Sequence, residues 1–424
     1  MKIQTTSFFR YFFLGLQHVL TMNIYVAPLI LASLLASNAE QTATLIQMTF
    51  IASGIATLIQ VGFGIQLPVM QGPSFVPLGA LAIVGKKYGI PVMIGSMIPG
   101  ALAITLLGQP FQILGKFMKT WITPLVGGSI TLVIGVSLIP LALQTIGTLP
   151  GNATTNFGVA GLTCSLLTFL AHLKLPSARW QGLLQSSSVI LALLLGTGLM
   201  SLWSTAEKSS TPEVVAWFSV PQWMPFGTPQ FQLEPLILIS LVYGVILVET
   251  IGTWYVVGTV IEHPIDEKLI NRGGLGEGLG CLIAALFGST PVTGYAANAG
   301  ILSITKNHSR WVAVAVGLQL LAIGLIPKFI HFLASIPTQA MLGVFLAACG
   351  VIAYNGYLLI QKFGWTLRNQ VIAGTPVLLS ILISLIPQSW VQSLPASISP
   401  FFSSGISVGA LTAIALNRIW PERQ

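Results

Sequence analysis

Charge is scarce in this sequence. Only 7% of its 424 residues are Asp, Glu, Lys or Arg, against roughly 25% in a soluble domain. So little polar surface excludes a water-soluble globule of this length and leaves the bilayer as the solvent. A mean hydropathy of +0.85 agrees. Cysteine is equally sparse. Cys164, Cys281 and Cys349 each lie alone in an apolar segment, a spacing that excludes a disulfide framework or a thiolate metal site and reads as small packing residues. The 18 basic residues are scattered singly or in pairs, so the +8 net charge is not the footprint of a nucleic-acid binder. No nucleophile–base pair or metal-ligand cluster is visible, so neither an enzyme nor a cofactor is expected. Nor is there a set of lining groups for a pore. The first apolar stretch lacks a cleavage pattern, and no signal peptide is expected.

What is abundant is apolar run length. Full-length spanning candidates lie near 11–36, 44–66, 90–108, 121–146, 157–175, 181–203, 235–260, 270–288, 310–333, 338–360, 369–388 and 400–420, each about the 20 residues a membrane helix needs. Two further stretches, 73–86 and 291–305, are too short and too rich in Gly, Pro and polar residues to span as plain helices. Counting them as broken spans gives fourteen. Basic residues test that count. With the N-terminus inside, fourteen crossings place fourteen of the 18 basic residues inside and leave only Lys86, Lys87, Lys208 and Lys328 outside. The expected fold is therefore an all-α membrane protein of 14 segments, with both termini cytoplasmic in the plasma (inner) membrane. The broken spans are the third and tenth, the same place in each half of a seven-plus-seven inverted repeat, which points to a transporter site. A faint internal likeness agrees: Thr123, Gly128, Gly135 and Val136 fall on Thr338, Gly343, Gly350 and Val351.

In the third span, QGPSFVPLGA (71–80), Pro73 and Pro77 bar helical bonding around Ser74 and Phe75. In the tenth, STPVTGYAANAG (289–300), Pro291 and Gly294 do the same. Each is expected to be an extended strand followed by a half-helix whose free N–H groups face a polar ligand near the midplane. Glu249 is the one charged residue between Pro235 and Ile261. A carboxylate there is costly, and such residues usually face a cavity and act on a ligand. It suits a neutral ligand with N–H donors. His18 is a second candidate, with packing and function equally open. Glu277, in GGLGEGLGC (273–281), is read as sitting at the cytoplasmic entrance rather than as a second buried acid. Trp121, Trp203, Trp311, Trp390 and Trp420 fall near span ends, as an aromatic belt does. Trp254 either lines the site or fills the core.

Four stretches together carry a family likeness: GLQHVLTMNIYVAPLIL (15–31), MQGPSFVPLGA (70–80), VETIGTW (248–254) and the long run 273–311 containing FGSTP, Asn298 and SRW. The chain resembles the xanthine/uracil permeases, or nucleobase–ascorbate transporters. The resemblance implies a core domain of spans 1–4 and 8–11 (1–110 and 231–335). It implies a gate domain of spans 5–7 and 12–14 (111–230 and 336–424), often a homodimer surface, with the core moving against the gate in an elevator-like cycle. It implies Glu249 on paired ring N–H groups of a nucleobase, Phe75 packed on the base beside Ser74, and His18 in support. Relatives carry Asp or His, often tied to proton coupling, where this chain has Thr253. They carry Glu or Gln where it has Ala297, so a second contact must come from Asn298 or the backbone at Ala296. The function implied is uptake of a nucleobase, a purine such as xanthine, urate or hypoxanthine before uracil. The coupling ion is a proton, with sodium as the other choice. An anion transporter of the same fold and a divergent non-nucleobase permease remain the alternatives.

Overall fold

A computed structural model describes residues 5–174, 178–203, 215–295, 298–299, 301–302, 308–386 and 405–420, with 176, 390 and 394 singly. Among these, eight helices are long and apolar enough to cross a membrane, or nine if the pair Arg310–Gly324 and Pro327–Ala334, bent by 80°, is one span. The protein is a multi-pass, mostly helical membrane protein.

The first helical stretch differs from the single span expected over 11–36. Helix α1 (Thr5–Met22) stops, and α2 (Val26–Leu35) restarts after a short turn. Asn23 takes a left-handed φ of 48° there, a conformation asparagine tolerates better than most side chains. Helix α3 (Ala39–Gly62) opens with a reciprocal cap in which Asn38 accepts from the Gln41 backbone and the Gln41 side chain accepts from Asn38. Strand β1 (Gln71–Pro73) and helix α4 (Leu78–Tyr88) form the strand and half-helix expected of the third span. Gly89, at φ 89°, makes the corner into α5 (Ile90–Gly108).

A short amphipathic helix, α6 (Leu114–Trp121), leads to α7 (Pro124–Thr148), α8 (Ala153–His172) and α9 (Ala178–Trp203). Then come α10 (Leu233–Val260) and α11 (Glu267–Leu286), the latter capped by Asp266 accepting from Leu269 N–H. Strand β2 (Val292–Gly294) follows, with residues 298–299 and 301–302 helical beyond it. Helix α12 (Arg310–Gly324) breaks at Leu325 into the short α13 (Pro327–Ala334), where one span over 310–333 was expected. Proline at the second helix's start sets this break. Helices α14 (Thr338–Gln361), α15 (Leu367–Leu385) and α16 (Gly405–Ile419) complete the chain.

Two packing units emerge. In one, α11 packs on both α5 and α3, and α12 packs on α3, with α10 on α5 and α1 on α12. In the other, α7, α8, α14 and α15 pack together, with α9 on α8 and α16 on α15. Close approach in the first unit relies on the glycines of α11. A Cβ at Gly280 would sit 2.8 Å from Ala56 on α3, and one at Gly278 would sit 2.5 Å from the Thr105 backbone nitrogen on α5. Small residues let membrane helices meet backbone to backbone in this way.

Candidate functional site

The strands of the two broken spans pair with each other. β1 and β2 run antiparallel, with Gln71 opposite Gly294, Gly72 opposite Thr293 and Pro73 opposite Val292. The pairing continues one step past Pro73, where Ser74 N–H donates to the Pro291 carbonyl at 2.9 Å, and Tyr295 N–H donates to the Met70 carbonyl at 2.9 Å. Extended backbone in the middle of a membrane protein thus finds its partners internally.

Helix α10 docks on this ladder through threonines. Thr250 Oγ1 accepts from Gly294 N–H at 3.0 Å, and Thr253 Oγ1 donates to the Gly294 carbonyl at 3.1 Å. Positions three apart share a helix face, so the ETIGT sequence grips one residue of β2 from both sides. A Cβ on Gly294 would lie 3.1 Å from Thr250 Oγ1 and 3.2 Å from Thr253 Cγ2, so glycine permits the close fit. Thr253 is thereby a structural tie between helix and strand. Replacing it with valine keeps the shape and removes one tie, worth about 1 kcal/mol. The expected result is a roughly fivefold weaker apparent affinity for the transported ligand, restored by Thr253→Ser, in concentration-dependent uptake.

Glu249 lies one residue before that grip. Its carboxylate accepts from Ser74 Oγ at 2.8 Å, joining α10 to the end of β1. The same Ser74 oxygen accepts from Val76 N–H at 3.2 Å, which fixes its direction. Glu249 is only partly covered, whereas Ser74 beside it is buried. Phe75 follows, half-buried, its ring stacked on Phe345 of α14. His18, from α1, is buried, and its Nδ1 lies 3.1 Å from Asn298 Oδ1. The Asn298 amide nitrogen is buried without a protein partner among the described residues. Ala296 and Ala297 lie outside the described residues.

Glu277 corrects an expectation. It is not at a cytoplasmic entrance but fully buried in α11, where its Oε2 accepts from Gln71 Nε2 of β1 at 2.9 Å. Gln71 N–H in turn donates to Thr57 Oγ1 of α3 at 2.9 Å. Trp254 fills the core: it is fully buried, and a Cβ on Gly273 would meet its ring at 2.5 Å. Of the residues singled out from sequence, Glu249, Ser74, Phe75, His18 and Asn298 all lie on or beside the paired strands. Gln71, Thr57, Thr250 and Phe345 join them unforeseen. The threonine pair was visible as two hydroxyls at helical spacing after Glu249. Nothing in the sequence marked Phe345.

The chain matches the Permease family of xanthine/uracil permeases over residues 9–389. It belongs to the xanthine/uracil permease family. This permease is 32% identical over 420 residues to the uric acid permease PucK of Bacillus subtilis, covering 97% of the chain and 95% of that relative. It is 31% identical over 411 residues to the nucleobase transporter PlUacP of Paenibacillus larvae, covering 95% of the chain and 93% of that relative. Among solved structures, the transmembrane domain of a cyanobacterial bicarbonate transporter, BicA, superposes with a TM-score of 0.68 at 17% identity, covering 91% of the permease and 98% of that chain. The overall structure of SLC26A9 superposes with a TM-score of 0.66 at 11% identity, covering 100% of the permease and 67% of that chain. These two show the fold. The sequence relatives are permeases, and so is this protein, not an enzyme.

Proposed function

We propose that this permease takes up a purine nucleobase, of the xanthine, urate or hypoxanthine type, by proton symport. The observation that carries the reading is the placement of Glu249. It is a half-buried residue whose carboxylate is oriented by Ser74, at the end of two strands that meet inside the protein. A purine presents ring N–H groups along one edge, and a carboxylate is their natural acceptor. The unspent amide donor of Asn298 suits a ring carbonyl or ring nitrogen. Sulfate and bicarbonate offer Glu249 no pair of ring N–H donors to offset their charge, which argues against a cargo of that type. Relatives whose names specify uric acid and xanthine support the purine class. With Thr253 engaged by Gly294, the carboxylates Glu249 and Glu277 are the groups left to carry a coupled proton.

The reading takes the chain as fourteen spans in inverted halves. The packing supports this: α10 on α5 has its counterpart in α1 on α12, and α11 on α5 in α3 on α12. In the other unit α15 on α7 matches α8 on α14, and α6 against α11 matches α13 against α3. Residues 1–110 and 231–335 form the core that carries substrate, and 111–230 and 336–424 form the gate and a homodimer surface. The core moves against the gate in an elevator-like cycle, in the plasma membrane with both termini cytoplasmic. The test is uptake of labelled xanthine, urate, hypoxanthine, guanine and uracil into cells lacking their own permeases. Saturable uptake of a purine, lost on adding a protonophore, is expected. Uptake that ignores the protonophore but follows external sodium would replace the coupling ion, and no uptake of any base would sink the reading.

A further inference from the structure

Residues 215–232 lead into α10 without forming a helix or strand, and none of them is charged. They are nevertheless fixed. Gln230 N–H donates to the Pro91 carbonyl at the start of α5 (3.0 Å), Met224 N–H to the Leu286 carbonyl at the end of α11 (3.1 Å), and Ser219 N–H to the Leu325 carbonyl just past α12 (3.3 Å). Gln47 of α3 clamps the last of these, donating to Ser219 Oγ at 2.7 Å and to the Gly324 carbonyl at 2.9 Å. These helix ends lie together. A Cβ at Gly108, the far end of α5, would stand 2.6 Å from the Asn271 carbonyl near the start of α11, so the start of α5 sits by the end of α11. The segment is a strap stitched across one end of the first packing unit, the end that the fourteen-span reading puts outside. What it turns outward is aromatic: Trp217, Phe218, Trp223 and Phe231 are all exposed. The short helix α13 beside it does the same. It leaves α12 at a bend of 80°, buries Pro327, Ile330 and Leu333, and presents Phe329 and Phe332 outward. Lys328 Nζ stands 3.6 Å from the centre of the Trp217 ring and joins the two pieces.

We propose that the strap and α13 together form a phospholipid-binding plate, whose aromatic side chains sit in the headgroup–acyl boundary of the bilayer. Depth supports this. Gln47 lies eight residues into α3 from Ala39, so α3 continues about 12 Å past the strap's clamp before it ends. The strap therefore lies beside a membrane helix rather than above it. Continuity supports it too. Leu233, the first residue of α10, is exposed, so the apolar face of that helix runs on into the strap. A patch of this kind facing water would be unusual for a soluble surface, whereas tryptophan favours the membrane boundary, where one part of the ring is apolar and the N–H is wet. The Lys328 stem can cover Trp217 while its ammonium meets a lipid phosphate. Because the strap is bonded to α3, α5, α11 and the end of α12, this unit has its own hold on one leaflet.

The experiment places a spin label, one position at a time, on Phe218→Cys, Phe231→Cys and Phe329→Cys of the full chain in phosphatidylcholine vesicles. Cys164→Ser removes the one native thiol that is not buried. All three labelled side chains point outward, so the exchange leaves the packing intact. Collisions of the label with oxygen, which concentrates in lipid, are compared with collisions with a water-soluble nickel chelate. Glu262→Cys, in the exposed turn after α10, is the aqueous control. The expected result is a preference for oxygen at all three positions, at a depth of about 5–10 Å, and the reverse preference at the control. A preference for nickel at any of the three overturns the plate, because that part of it then lies in water. Few collisions with either reagent also overturns it, because protein, such as a second copy of this chain, then covers the patch in place of lipid.

Discussion

Glu249→Gln is expected to reduce purine uptake by at least about a hundredfold while leaving the protein in the membrane. A carboxylate accepting two ring N–H donors makes charge-assisted bonds of about 1.5–3 kcal/mol each. Glutamine offers one acceptor oxygen and an amide that points a donor at a donor. One bond is lost and the other becomes neutral, so several kilocalories of binding disappear. The fold should survive, because the carboxylate is held in the protein by the Ser74 hydroxyl, and a glutamine oxygen still accepts that bond, as a neutral one. Labelled-purine uptake, read beside membrane abundance, checks both halves. Uptake within tenfold of wild type would remove Glu249 from the substrate.

The second large effect is structural. Gly135→Val is expected to abolish folded protein, whereas Gly127→Ala on the same helix should be neutral. A Cβ at Gly135 would lie inside the van der Waals surface of the Ala353 backbone nitrogen and 2.6 Å from the Cys349 carbonyl on α14. Those are main-chain atoms of a facing helix, and no rotamer change relieves them. Gly356 makes the reciprocal approach, where a Cβ would stand 2.8 Å from the Gly128 carbonyl, so a wedge at 135 also strips that contact. Overpacking of a well-fitted interface costs about 1–3 kcal/mol or more, and here it forces apart a backbone-to-backbone approach of α7 and α14. A methyl group added at Gly127 would have nothing within 4 Å, so alanine there meets open space. Yield of monodisperse detergent-solubilised protein distinguishes the two. Normal yield for Gly135→Val would mean that the helices can part without consequence.

Much of the site was legible because it broke local rules. Prolines 73, 77 and 291 interrupt apolar runs, and that alone locates both strands. A single acid in a greasy helix locates Glu249. Glu277 was misplaced for a related reason. Its neighbours are glycines, and a Gly-rich stretch with a charge reads as a boundary. Those same glycines draw α3 and α5 so close that the charge ends up enclosed, held by Gln71. Burial by neighbouring helices cannot be read from one helix's composition. The same limit hid Phe345, whose significance depends on what stands opposite it. The breaks at Asn23 and Leu325 were lost because apolar content continues through them, so hydropathy saw one span where the backbone turns.

The three-residue ladder between β1 and β2 has a consequence for how the protein is made. Gln71 leaves the ribosome long before Gly294, the residue it will face. In the interval, the main-chain groups of β1 have no strand to pair with, and Gln71 lacks the Glu277 carboxylate that will hold its side chain. A strand of that length has no stability alone. The first half of the chain therefore waits in the bilayer as an unfinished structure, and its centre sets only when the second half is inserted. Biogenesis ends, rather than begins, at the pairing of these two strands.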